Sequence, residues 1–348
     1  ASEVEMISKI VMDVANELPS TDFDQLVGIK AHVEKLKSMI SLESDEVKMV
    51  GIWGPAGIGK STIAKALYNE ISSNFQLKYY KDNVGGKYTM IRPNIQNELL
   101  YGILDHRDMK VPNINIVELP YRLMSQRVLL ILDDFKPEEL QALQGPILQL
   151  RFGSKVIVTS EYMSTLRGCG IDQNHIYRVA YPSSEEAMQI FSYSAFGQSS
   201  PPRGFLEHAI EVITKLVSLI PLGLKVLGSS LRGNSKDEWT TKLPRLRTCL
   251  DDDKDIEKVL QFVYDGLSDK HEAILLRLAI SARRGENVNN VIFSLAENDW
   301  DVEKGIQTLA DLALISRIED GGIMVHHLVQ SIMYVKILMW ERFYPVVY

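Results

Sequence analysis

The sequence predicts a parallel α/β domain, then an all-α region, then a small winged-helix module in which helices precede a β-hairpin. Three observations carry this. A glycine-rich loop, Gly54 to Ser61, separates a short apolar run from a helical pattern. Two further β-rich runs, Arg127 to Asp133 and Ser154 to Thr159, alternate with helical stretches, as a parallel sheet requires. From residue 184 to about 313 the apolar spacing is helical almost throughout, and Glu319 to Gly322 then divides two short β-like segments.

Taken in order, Ile7, Ile10, Val11, Val14 and Leu18 fall at helical spacing and give an amphipathic helix that stops near Pro19. Val33, Leu36, Met39 and Ile40 mark a second helix, and Val47 to Trp53 reads as a buried strand feeding the loop. Ile176 to Ala180 is a short closing strand before Pro182, after which Ser183-Ser-Glu-Glu186 opens a helix with acids in its first turn. Ile210, Ile213, Leu216, Val217 and Ile220 continue the helical pattern, and Leu314 to Ile318 and Ile323 to His326 form the hairpin. The expected divisions are a linker with a helix over 1–24, the α/β domain over 25–182, a helical subdomain over 183–250 and a winged helix over 251–348.

Composition narrows the partners. The net charge of −7 opposes a general nucleic-acid or anionic-membrane surface, so recognition has to be local. Two cysteines, Cys169 and Cys249, make neither a metal cluster nor a disulfide framework, which fits a reducing compartment. The first residues lack the basic, apolar, small-residue order of a secretory signal. The apolar stretch Ile323 to Trp340 is broken by His326, His327, Gln330, Ser331 and Lys336, which argues against a membrane span. Trp340 to Tyr348 would expose much apolar surface if nothing followed, so the chain is expected to continue.

The chemistry lies in the loop Gly54-Pro-Ala-Gly-Ile-Gly-Lys-Ser61, which fits G-x-x-x-x-G-K-[ST]. In that pattern glycines turn successive backbone N–H groups toward phosphates, and the following helix adds its positive N-terminal dipole. Gly54, Gly57 and Gly59 supply the freedom, with Ile58 between them. Lys60 reaches the β- and γ-phosphates, Ser61 offers a hydroxyl to Mg²⁺, and Thr62 is its neighbour. The first domain is therefore an α/β P-loop nucleotide-binding domain. Such a domain needs an acid at the end of a neighbouring buried strand, and Asp133 is the expected Mg²⁺ ligand. Asp134 could orient or deprotonate the attacking water, or serve only as a solvated turn or helix cap. The strand ends at Thr159-Ser160-Glu161, where a polar γ-phosphate sensor is expected; the Glu161 carboxylate would repel a terminal phosphate, so either Thr159 or Ser160 does the sensing or the site senses poorly.

Six blocks together resemble the NB-ARC module of plant intracellular immune receptors, in particular the class with an N-terminal TIR domain. They are Asp24 to Ile29, Gly51 to Thr62, Leu132 to Asp134, Ser154 to Thr159, Pro221 to Gly228 and Val325 to Val329. The resemblance spans nearly the whole chain. It implies a nucleotide-binding domain, a helical subdomain and a winged helix that close over ADP and reopen when ATP replaces it. It further implies that Val27 and Gly28 contact adenine, that Pro221 packs on the base and that His326 reaches the ADP β-phosphate. TIR and leucine-rich-repeat domains in the full-length protein, oligomerisation on activation, and a cytoplasmic or nuclear location follow from the same resemblance.

The chain departs from the family pattern in places. The family's Met-His-Asp is Val325-His326-His327, so the acid that helps hold the closed state is missing, which predicts a looser closure. Ser218 stands where a glycine opens the Gly-x-x-Pro-Leu block, Phe75 to Val84 matches poorly, and Arg277 to Gly285 lacks the usual Cys-Phe-Phe.

The favoured reading is a nucleotide-dependent switch with at most slow ATP hydrolysis. The alternatives are a turnover ATPase of the AAA+-like P-loop class, a winged-helix DNA reader and a decayed adaptor. Nine Lys/Arg against fourteen Asp/Glu from residue 255 onward, a balance of −5, oppose the DNA reader. Intact Lys60, Ser61 and Asp133 oppose the decayed adaptor.

Overall fold

A computed structural model describes residues 26–81, 125–136, 150–213, 219–250, 256–284, 301–317, 323–334 and 336–338. The helix expected over residues 3–18 lies outside them, as do residues 214–218, the hairpin turn at 318–322 and the aromatic C-terminal run.

The first layer is an all-parallel five-stranded sheet. Its strands are β1 (Lys48–Trp53), β2 (Leu77–Lys81), β3 (Val128–Leu132), β4 (Lys155–Ser160) and β5 (Ile176–Arg178), in the order β2-β3-β4-β1-β5. Every residue of β3 and β4 is buried, because helices or loops cover both faces of a parallel sheet and the strands become continuous apolar runs. On one face pack α1 (Ile29–Ile40) and α2 (Lys60–Ile71), whose Val33, Leu36, Ile63 and Leu67 meet Ile52, Ile131 and Ile157. The other face carries α3 (Met163–Gly168), through Leu166 against Val156 and Val158.

The order has one result that matters for function. β1 lies between β4 and β5 and β4 between β1 and β3, so the loops leaving β1, β3 and β4 emerge side by side at the carboxyl edge of the sheet. That edge is where ligands of open α/β sheets are held.

β2 was not expected. Leu77-Lys-Tyr-Tyr-Lys81 has neither alternation nor a continuous apolar run, and all five residues are only partly buried. Among the described residues it is an edge strand with β3 on one side only, so it needs little apolar character.

The second layer is helical. Ser183 caps α4 (Ser184–Phe196) with a full capping box: its hydroxyl accepts from the Glu186 N–H, and Glu186 accepts from the Ser183 N–H. α5 (Leu206–Glu211), α6 (Pro221–Leu231) and α7 (Lys236–Leu250) complete a core centred on Trp239, which is fully buried. Pro221 occupies the first turn of α6, where its missing N–H and fixed φ cost nothing. Ile220 precedes that helix as its N-cap, so the helical pattern ending at Ile220 is interrupted before it.

The third layer contains α8 (Ile256–Asp265), α9 (Asp269–Arg284), α10 (Val302–Asp311), the antiparallel pair β6 (Ile315–Arg317) and β7 (Ile323–Val325), and α11 (His327–Ile332). The two strands of the expected hairpin pair antiparallel, and their Ile315 and Val325 join Leu260, Leu275 and Val329 in one core.

Candidate functional site

A cleft of about 680 Å³ opens at the carboxyl edge of the sheet, and all three layers wall it. The α/β layer supplies Gly57, Lys60, Ser61 and Asp133, the helical layer Pro221 and Leu222, and the third layer His326 and His327.

The loop adopts the conformation its glycines allow. Gly57 and Gly59 have φ of +74° and +106°, where a side chain is strained. Gly57 is also sterically fixed: a Cβ there would lie 2.9 Å from Leu222 Cβ and 3.0 Å from Ile256 Cδ1. Its carbonyl accepts from the Leu222 N–H at 3.2 Å, so the loop is joined by backbone to the start of α6. Beyond Gly59, α2 begins at Lys60 and presents the unpaired N–H groups of its first turn.

Lys60 is 7% exposed. Its Nζ donates to the carbonyl oxygens of Gly54 (2.9 Å) and Pro55 (3.0 Å) and lies 3.7 Å from Glu161 Oε1. Burial holds the ammonium below the ordinary lysine pKa, against the opposing pull of Glu161, Asp134 and Asp133. A desolvated cation beside backbone N–H groups is a fitting cradle for phosphate oxygens.

Asp133, at the end of β3, is 5% exposed and tightly oriented. Oδ1 accepts from Thr159 Oγ1 at 2.6 Å and Oδ2 from the Tyr80 hydroxyl at 3.0 Å. The same Tyr80 oxygen lies 3.4 Å from the Ser61 carbonyl oxygen, bridging the acid to the loop helix. A buried carboxylate held by two hydroxyls beside Ser61 suits a hard divalent cation such as Mg²⁺. Asp134 lines the cleft with a φ of +52°, and its N–H donates to Thr159 Oγ1 at 2.7 Å.

These bonds change the reading of the strand end. Thr159 and Ser160 are buried, Thr159 holding Asp133 and Asp134, and Ser160 donating to the Phe135 carbonyl at 2.9 Å. Glu161 is the residue of that segment which faces the cleft. Its carbonyl accepts from Trp53 Nε1 at 3.0 Å, and its Oε1 lies 3.3 Å from His327 Nε2. The site where the family's acid is missing is thus met by an acid from the opposite wall.

Pro221 and Leu222 reach the cleft, as does Thr62, whereas Gly54 and Ile58 do not line it. Val27 and Gly28 do not line it. Val27 packs on the helical core, and Gly28 is the N-cap of α1, where a Cβ would meet Glu186 Oε1 at 2.7 Å. Tyr80 is the residue the sequence reading missed; a tyrosine on an edge strand beside the acid strand is visible only after β2 is recognised.

His326 caps α11, its Nδ1 accepting from the Leu328 N–H at 3.3 Å, which leaves the ring proton on Nε2. Burial pushes its pKa down to about 3, with His327 and Lys60 adding to the shift. The native ring therefore stays neutral while the unfolded one takes a proton below about pH 6.5. Stability is full above that pH and falls toward pH 3, at up to about 1.4 kcal/mol per pH unit. Denaturant titrations at pH 7 and pH 5 should show a loss on acidification that is roughly 2 kcal/mol smaller in His326→Asn; equal losses in both proteins would refute this.

Among the described residues there is no group of three or more His, Cys, Asp or Glu side chains poised to hold a metal alone, and no helix is long and apolar enough to cross a membrane. Residues 29–200 match the NB-ARC domain family. Three Arabidopsis thaliana proteins are similar over almost the whole chain. Disease resistance protein TAO1 is 40% identical over 94% of this chain, disease resistance protein RML1B 40% over 94%, and disease resistance protein RPS6 36% over 95%. The chain spans 28%, 32% and 30% of their respective lengths.

Proposed function

This chain belongs to the NB-ARC family, and from that premise we propose that it is the ADP/ATP-binding switch of an intracellular plant immune receptor. The observation that carries the reading is that one cleft takes walls from all three layers, Lys60 from the first, Pro221 from the second and His326 from the third. A ligand filling such a cleft stabilises one arrangement of the layers by its differential affinity for it.

In this reading the N–H groups of the Gly57 to Thr62 turn and Lys60 hold the phosphates, Pro221 packs on the base, and the His326 Nε2–H donates to the ADP β-phosphate. Ser61 and Asp133 hold Mg²⁺, which neutralises phosphate charge. Thr159 and Tyr80 keep Asp133 aimed, and Asp134 orients water for a slow hydrolysis that resets the switch. Val27 and Gly28 act from the junction of α1 with α4, and their contact with adenine requires that junction to move. Attached TIR and leucine-rich-repeat domains, oligomerisation of the ATP state, and action in the cytoplasm or nucleus belong to the same proposal.

The test is the nucleotide itself. Purified protein is expected to release ADP on denaturation, detected by mass spectrometry, and to turn over ATP below about one per second. Protein that neither carries nor binds adenine nucleotide would remove the reading, and faster turnover would favour a motor-type ATPase.

A further inference from the structure

Glu161 and His327, 166 positions apart in the chain, face each other across the cleft. Glu161 is anchored in the first layer by the Trp53 bond to its carbonyl, while His327 opens α11 in the third. A single oxygen, Glu161 Oε1, stands 3.7 Å from Lys60 Nζ and 3.3 Å from His327 Nε2. The Glu161 side chain is 23% exposed and that of His327 48%, so the contact sits at the mouth of the cleft.

Lys60 in this loop pattern serves the β- and γ-phosphates, and the Glu161 carboxylate stands 3.7 Å from its ammonium. Two anions cannot share it cheaply, because like charges a few ångströms apart repel. Other acids near the ammonium, Asp133 and Asp134, lie at the end of β3, on the wall assigned to the metal and the attacking water. Glu161 also reaches the third layer, through His327.

We propose that Glu161 determines nucleotide specificity, occupying in the ADP state the flank of Lys60 that a third phosphate would take, and that its contact with His327 transmits this choice to the winged helix. ADP leaves the carboxylate between Lys60 and His327, and the layers stay latched. ATP expels it from Lys60, and the His327 contact is lost with it. This rests on the switch reading and adds to it the group that tells two phosphates from three.

Equilibrium binding of ADP and of ATP, each with Mg²⁺, to wild type, Glu161→Gln and His327→Gln tests it. Glutamine keeps the shape of Glu161 and removes its charge, so the preference for ADP over ATP should fall at least about tenfold. His327→Gln should leave more of that preference in place but raise hydrogen exchange across 323–334 in the ADP state. An unchanged ratio in Glu161→Gln overturns the specificity role. Unchanged exchange in His327→Gln overturns the transmission to the winged helix. Wild-type protein that binds neither nucleotide overturns the switch itself, and the inference with it.

Discussion

Replacing Lys60 by alanine should abolish measurable ADP and ATP binding while leaving the fold intact. The ammonium is one of the few buried polar groups among the described residues, and its two closest partners are carbonyls of its own loop rather than groups of the core. Its removal relieves a desolvation cost that already depresses its pKa. The fold therefore loses little, and Glu161 keeps His327 as a partner. The ligand, in contrast, loses a charge-assisted contact in a dry site, worth on the order of 3 kcal/mol or a hundredfold in affinity. Calorimetric titration checks the first half and circular dichroism melting the second; retained affinity in a folded variant would remove the main support for a phosphate site.

Trp239→Ala should have the largest effect on stability. The indole is fully buried among Phe191, Phe196, Phe205 and His208, stacked on Phe196 at 5.4 Å, and its Nε1 donates to the Leu231 carbonyl at 3.1 Å. Truncation leaves a cavity at the meeting point of four helical segments and takes one of its two donors from the Leu231 carbonyl, which keeps the Asn234 N–H at 3.3 Å, a cost of about 3–5 kcal/mol. Because α6 carries Pro221 into the cleft, nucleotide affinity should weaken as well. Scanning calorimetry should record a Tm lower by on the order of 10 °C, and a shift within a degree or two would show that the aromatic cluster does not hold the helical layer together.

Much of this could be read from residue order, because the relevant physics is local. The loop, the acid strand and the Ser183 capping box each need only a few neighbours to define their chemistry, and the buried strands β3 and β4 stand out as apolar runs. What escaped was whatever depends on partners distant in sequence. β2 owes its conformation to a single neighbouring strand, and with it went Tyr80, the hydroxyl that holds Asp133. Thr159 is a sensor by position in the strand, but its hydroxyl is spent on Asp133 and the Asp134 N–H, a use that only the packing of β3 against β4 creates. The substitution at His327 predicts a looser closure when taken alone; set opposite Glu161 it supplies a contact between layers.

The position of β1 in the sheet has a consequence for how the chain is made. Lys48 to Trp53 pairs with β4 on one side and β5 on the other, about a hundred residues later in synthesis. At roughly 5–20 residues per second, a ribosome leaves this apolar strand with both edges open for about 5–20 seconds. Its loop cannot take its final form before then, and the His326 wall arrives later still. Newborn chains are thus most open to wrong strand pairing in that interval, and chaperone capture should be strongest for products stalled between residues 60 and 150.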